Sequence, residues 1–174
     1  MGEILGKIEA CPVPTIAALS GACTGGGAAI AACCDMRIGA ADLKFGFPIA
    51  RTLGNCLSAA SLAKLVSLIG AAKVTEMIFL SRLIDATEAR ALALITEICP
   101  THDAVVARAM DMAREIATMA PLTLRVTKEL LRRVRLEGVT ANDRDMVALA
   151  YGSEDFREGL ESFLAKRSPQ WRGR

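Results

Sequence analysis

Three consecutive glycines, Gly25-Gly26-Gly27, lie in the stretch Leu19-Ser20-Gly21-Ala22-Cys23-Thr24-Gly25-Gly26-Gly27-Ala28-Ala29-Ile30. Any chemistry they do is backbone chemistry. Each glycine weakens a helix or strand interior by roughly 0.5–1 kcal/mol relative to alanine, so a run of them marks a special backbone position. Before them, Val13 to Leu19 is short and apolar, the pattern of a buried strand. After them, Ala28 to Cys34 is small and helix-compatible. Strand, glycine turn and helix start leave bare N–H groups at a helix N-terminus, where the macrodipole adds partial positive charge. Such a place suits a developing oxyanion, a thioester oxygen or a phosphate.

A phosphate-binding P-loop requires Lys-Ser or Lys-Thr after its glycines, and none follows. Gly25 and Gly27 fit the start of a dinucleotide fingerprint, but Ile30 stands at its third glycine. An oxyanion hole needs only one or two well-aimed amides. A turn that merely lets a helix pack close to a strand needs no more, and the glycines alone do not separate these two readings. The one histidine, His102, lies in a polar turn far along the chain and reads as a surface residue. The six cysteines (Cys11, Cys23, Cys33, Cys34, Cys56 and Cys99) form no C-x-x-C pair. With a single histidine they make a poor metal set, and in apolar surroundings they read as small hydrophobes of a reduced, cytoplasmic protein.

The elements around the glycines follow from periodicity and punctuation. Met1 to Ala10 reads as a helix, with Ile4, Leu5 and Ile8 on one face, ended by Pro12 and Pro14. Asp35 to Gly39 reads as a second strand, its Asp35 and Arg37 as plain surface charge. Ala40 to Asp42 is a turn, Lys44 to Pro48 is extended, and Ile49 to Leu57 is a loop. Ser58 caps a helix to Ile69 with Leu62, Leu65, Val66 and Ile69 on one face and Gly70 as its stop. A helix follows over Ala71 to Leu80. Asp85-Ala86-Thr87-Glu88 resembles a capping box opening a short third helix, and Thr96 to Pro100 a short strand. From His102 the pattern is helical, over about 104–119, 121–137, 140–151 and, capped by Ser153, to Lys166.

Composition bounds the rest. The 174 residues suffice for a packed core; 52% are hydrophobic but only 4% aromatic, so Ala, Leu, Ile and Val should build it. The formal charge of +2 gives no basis for nucleic-acid binding. Glu3, Lys7 and Glu9 break any apolar leader at the start. The uncharged run from Cys11 to Cys34 holds prolines, the glycine triplet and few large aliphatics, which argues against a membrane span. An α/β part over residues 1–101 and an all-helical, oligomer-forming part over residues 102–174 are expected.

Three segments in this order resemble the crotonase (enoyl-CoA hydratase/isomerase) family. They are Pro14-Thr15-Ile16-Ala17-Ala18-Leu19-Ser20-Gly21 through the glycines to Cys34-Asp35-Met36-Arg37-Ile38; Lys44-Phe45-Gly46-Phe47-Pro48; and Ser153-Glu154-Asp155-Phe156-Arg157-Glu158-Gly159 continuing to Arg167. The resemblance covers almost the whole chain but only the later part of the family's usual length. It implies a truncated ββα spiral followed by an all-helical C-terminal region, assembled as trimers or hexamers, and an acyl-CoA substrate with no other cofactor. It also implies that Gly26, next to Gly25, supplies one of two amides holding the thioester oxygen, and that Phe163 and Lys166 meet the CoA of a neighbouring subunit. The family's second amide and early CoA-binding segment have no counterpart in this sequence.

The departures bear on the reaction. Family hydratases carry one glutamate where this chain has Ala29 and another where it has Ile49. Water addition needs a base for the water and an acid for the α-carbon, and neither residue transfers a proton. The following loop is Arg51-Thr52-Leu53-Gly54-Asn55-Cys56-Leu57-Ser58, whose Arg51, Asn55 and Cys56 offer other chemistry or a plain structural role. The expectation is therefore an acyl-CoA enzyme of crotonase type with non-hydratase chemistry, or a non-catalytic oligomer partner that keeps the helical region.

Overall fold

The structure, a computed structural model, describes residues 2–174 apart from the side chain of Val139, so Met1 of the expected first helix lies outside the described residues. Among the described residues, ten α-helices and six short strands run in the order α1 (Gly2–Glu9), β1 (Ile16–Leu19), β2 (Ala22–Thr24), α2 (Gly25–Cys33), β3 (Met36–Ala40), β4 (Lys44–Gly46), α3 (Ile49–Thr52), α4 (Ala59–Ile69), α5 (Ala71–Phe79), β5 (Ile84–Asp85), α6 (Ala86–Ala91), β6 (Ile98–Cys99), α7 (His102–Ile116), α8 (Pro121–Glu137), α9 (Arg144–Tyr151) and α10 (Glu154–Ala165). The caps carry their sequence signals. The Ser58 hydroxyl accepts from the Ser61 amide at 3.2 Å, Asp85 from the Glu88 amide at 2.9 Å and Ser153 from the Phe156 amide at 2.9 Å. Pro121 opens α8, and Gly70 at φ 78° closes α4.

The strands form two sheets, ordered β1-β3-β6 and β2-β4-β5. Pairing is parallel in the first sheet (Ile16 opposite Met36, Gly39 opposite Ile98) and between β2 and β4 (Ala22 opposite Lys44); β5 runs antiparallel to β4. The chain leaves the first sheet after β1, turns at Ser20-Gly21 and enters the second as β2. It repeats the step from β3 to β4 through Ala41-Asp42. Gly21 takes φ 57°, which a side chain disfavours. The two corners are tied together: the Lys44 amide donates to the Gly21 carbonyl at 2.7 Å, and the Gly21 amide to Asp42 at 3.1 Å. β1-β2-α2 and β3-β4-α3 are thus successive ββα turns of a spiral.

Two features of this part differ from the sequence reading. The sequence pattern assigns no strand to Ala22-Cys23-Thr24, which is too short and too close to glycines to show a period; its pairing with β4 makes it one, β2. Ile49 to Thr52 is a helical turn rather than loop, since the Pro48 carbonyl accepts from the Arg51 and Thr52 amides and from the Thr52 hydroxyl at 2.9 Å.

The chain divides into two compact units, one holding the residues up to Cys11 with Thr15–Ala113, the other Pro12–Pro14 with Arg114–Arg174. The core of the first has Phe45, Phe47, Leu43, Leu65, Met77 and Ile84 all within 1% of full burial. Two phenylalanines thus join the aliphatics expected there, meeting edge to face with centroids 6.1 Å apart. Val66, expected on the buried face of α4, is 40% exposed. A second cluster unites Ile38, Ala40 and Cys99 with Val105 and Met112 of α7. In the second unit Leu122 and Val126 are buried, whereas Leu131, Val134, Leu136, Tyr151, Leu160, Phe163 and Leu164 are exposed.

Candidate functional site

The glycine triplet is the first turn of α2 rather than a turn before it. Thr24 occupies the N-cap position in extended conformation, and its side chain makes no capping hydrogen bond. Gly25 enters the helix at φ 56°, a left-handed conformation that L side chains rarely adopt. The opening N–H groups of a helix have no intrahelical partner, and here they belong to Gly25, Gly26 and Gly27. Gly25 is half-buried and Gly26 and Gly27 are exposed, while Ala28 directly after them is fully buried. The first turn carries no acidic residue. A donor-rich, positively polarised helix end therefore projects from a buried body.

The far end of the same helix is held by Arg37, and here the reading as surface charge is corrected. Arg37 is 6% exposed. Its guanidinium donates to the carbonyls of Cys34 at 2.6 Å, Leu94 at 2.8 Å, Ala31 at 3.3 Å and Asp35 at 3.4 Å. Ala31 and Cys34 end α2, so a cation meets the negative pole of the helix whose positive pole the glycines expose. Burial lowers the Arg37 pKa, opposed by the sulfur and carboxylate groups of Cys34, Asp35 and Cys33. Asp35 is also engaged: its carboxylate accepts from the Thr15 amide at 2.7 Å and the Thr15 hydroxyl at 2.8 Å.

Ala29 packs against the core, and Ile49, 6% exposed, is part of it. Arg51 is exposed and reaches the Ser81 carbonyl at 3.4 Å, a structural contact; Asn55 and Cys56 are exposed in the loop beyond. All six cysteines are free thiols. Burial raises the Cys23 and Cys99 thiols above their ordinary range. Among the described residues no group of three or more His, Cys, Asp or Glu is placed to hold a metal ion, and no helix is long and apolar enough to cross a membrane.

Phe163 and Lys166 lie in the other unit, at the end of α10. Phe163 is 81% exposed, and Lys166, also exposed, follows the helix at φ 52°. His102 opens α7 at the surface, with its Nδ1 2.8 Å from the Ser20 hydroxyl. That pairing had no sequence signal, because it joins residues 82 positions apart; the Arg37 clamp had none either, because its short-range acceptors are backbone carbonyls and its remaining one, Leu94, lies 57 residues on.

The enoyl-CoA hydratase/isomerase family model matches residues 2–174. The chain is 33% identical over 176 residues to the mitochondrial methylglutaconyl-CoA hydratase of Rattus norvegicus, covering 98% of this chain and 56% of that protein. It is 30% identical over 175 residues to the 2,3-dehydroadipyl-CoA hydratase of Escherichia coli K12, covering 99% and 68%. An enoyl-CoA hydratase/carnithine racemase structure from Magnetospirillum magneticum superposes with a TM-score of 0.86 at 33% identity, covering 100% of this chain and 65% of that one. The chain spans 56% to 68% of the length of these curated relatives. With a match from residue 2 to residue 174 and a shared backbone, the chain belongs to the enoyl-CoA hydratase/isomerase, or crotonase, family.

Proposed function

We propose that this chain binds acyl-CoA thioesters and polarises the thioester carbonyl with the Gly26 amide, without hydrating enoyl-CoA. The observation that carries this reading is the opening of α2: exposed glycine amides, a left-handed Gly25, and no acid in the first turn. A hydrogen bond and a helix pole aimed at the carbonyl oxygen favour the charge an enolate develops. Gly25 shapes the approach, and Phe163 and Lys166 of a neighbouring copy meet the CoA part in a homotrimer or hexamer in the cytoplasm. Coenzyme A enters as part of the substrate, and no other cofactor is invoked. Ala29 and Ile49 stand where family hydratases carry glutamates, so no positioned carboxylate serves the water or the α-carbon. Those same two residues favour a second reading, a non-catalytic partner that binds the thioester and lends Phe163 and Lys166 to another subunit.

Calorimetric titration with acetyl-CoA and with free CoA tests the proposal, on the parent chain and on Gly26→Pro. Proline is tolerated in a first helical turn but has no N–H. Loss of one hydrogen bond should weaken acetyl-CoA binding about fivefold. Binding of free CoA, which has no thioester carbonyl, should stay the same. Equal affinities for acetyl-CoA in the two proteins would remove Gly26 from the site.

A further inference from the structure

Lys166 ends α10 in a way that a lysine rarely does. Its amide donates to the Phe163 carbonyl at 3.3 Å, and the Arg167 amide donates to the Ser162 carbonyl at 3.1 Å. That pair of bonds is the glycine-type helix stop, and its left-handed residue, at φ 52°, is Lys166. A strained residue persists only when its surroundings over-determine it.

The surroundings here are one carboxylate. Glu158 accepts both guanidinium nitrogens of Arg167, at 2.6 and 2.9 Å, together with the Ser162 hydroxyl at 2.9 Å and the Gln170 amide at 2.8 Å. These partners lie before and after Lys166, so the two-toothed pair and its neighbours bracket the strained turn. Asp155, 4% exposed, extends the hold by accepting the Arg172 amide at 2.7 Å and the Gly173 amide at 2.9 Å. Between these anchors the single tryptophan, Trp171, lies against Gly159, where an added Cβ would come within 3.2 Å of the ring. With Leu122, Val126, Tyr151, Phe156 and Leu160 it lines an apolar groove of about 400 Å³.

We propose that Glu158 is a positioning residue for coenzyme A: by clamping Arg167, Ser162 and Gln170 it holds the left-handed turn that carries Lys166, three residues after the exposed Phe163. The inference rests on the proposed role of Phe163 and Lys166 toward the CoA part. An ammonium suits the CoA phosphates and an exposed ring suits its adenine. Glu158 touches neither and acts through Lys166.

The test is titration of the full chain with free CoA, using the parent, Glu158→Gln, Lys166→Ala and the double variant, with Trp171 emission recorded throughout. Glu158→Gln should shift the emission and weaken CoA about fivefold, and Lys166→Ala should weaken it by a similar factor. The double variant should lose no more than Lys166→Ala alone, because one residue acts through the other. Lys166→Gly gives a second sign: relief of the left-handed strain should raise the thermal midpoint while CoA affinity falls. If Glu158→Gln fails to fold by circular dichroism, Arg167→Lys keeps the charge, loses the two-toothed bond and should give the same loss. CoA affinity unchanged within about twofold in Glu158→Gln, whatever Trp171 does, or additive losses in the double variant, would overturn the proposal. A parent chain that binds no CoA overturns this inference and the functional reading together. Normal CoA binding with no effect of Gly26→Pro on acetyl-CoA overturns only the thioester half.

Discussion

Replacing Arg37 by methionine should cost the spiral unit a large share of its stability. The guanidinium makes two short bonds to buried or half-buried carbonyls, at 2.6 and 2.8 Å, and two longer ones at 3.3 and 3.4 Å. Hydrogen bonds to a charged group contribute about 1.5–3 kcal/mol each, and unmade buried acceptors carry their own desolvation cost. The two short bonds alone give about 3–6 kcal/mol. Removing a buried charge and adding an apolar side chain offsets part of this, leaving about 3–4 kcal/mol. A domain of this size is stable by about 5–15 kcal/mol, so the variant should remain folded but close to its threshold. Urea unfolding followed by circular dichroism is the assay. With a slope of about 1.5–2 kcal/mol/M, the midpoint should fall by about 2 M. Arg37→Lys should recover only part of the loss, because an ammonium does not reproduce the fork. A midpoint shift below about 0.5 M would show that Arg37 counts for no more than surface charge, and that the α2 carbonyls do not depend on it.

Acid should weaken the helical unit. Hydrogen bonds from Arg132 first and Arg133 next hold Glu129 at about 2, those from Arg133 hold Asp145 at about 2, and Arg167 with the Gln170 amide holds Glu158 at about 2. Each folded-state value lies below the ordinary one, so the stabilisation is complete above about pH 4.5 and is lost as pH falls toward 2. A urea midpoint that stays constant from pH 5 to pH 2 would contradict this. The chain should also self-associate, since Leu131, Val134, Leu136, Leu160, Phe163 and Leu164 are all exposed at 48% or more. A monodisperse monomer by light scattering at micromolar concentration would refute that expectation.

Local chemistry explains which parts of the fold were legible in the sequence. Ser58, Asp85, Ser153, Pro121 and Gly70 mark helix ends with side-chain or backbone preferences that need no tertiary partner, and each element starts or stops where they stand. β2 carried no such mark because its ladder partner lies about twenty residues on. Arg37 read as surface charge because an Arg in a short strand shows nothing of the helix end it meets. Part of the candidate site was legible for the reverse reason: a glycine triplet is a backbone requirement visible in the residues themselves. Asp155 lay in plain view as a first-turn acid of a capped helix, and Glu158 as an acid one turn further on. Their partners, in the tail from Arg167 to Gly173, became apparent only once the chain turned back.

Polarising a thioester and hydrating an enoyl thioester are separable activities, and crotonyl-CoA distinguishes them directly. A positioned acid or base contributes about 10²–10⁴-fold, and Ala29 and Ile49 supply neither. Ultraviolet absorbance of the enoyl chromophore, followed with crotonyl-CoA in excess over purified chain, should decay no faster than in buffer alone. Loss of the chromophore with multiple turnovers would contradict the account and require Asp35, Arg51, Asn55 or Cys56 to move the protons.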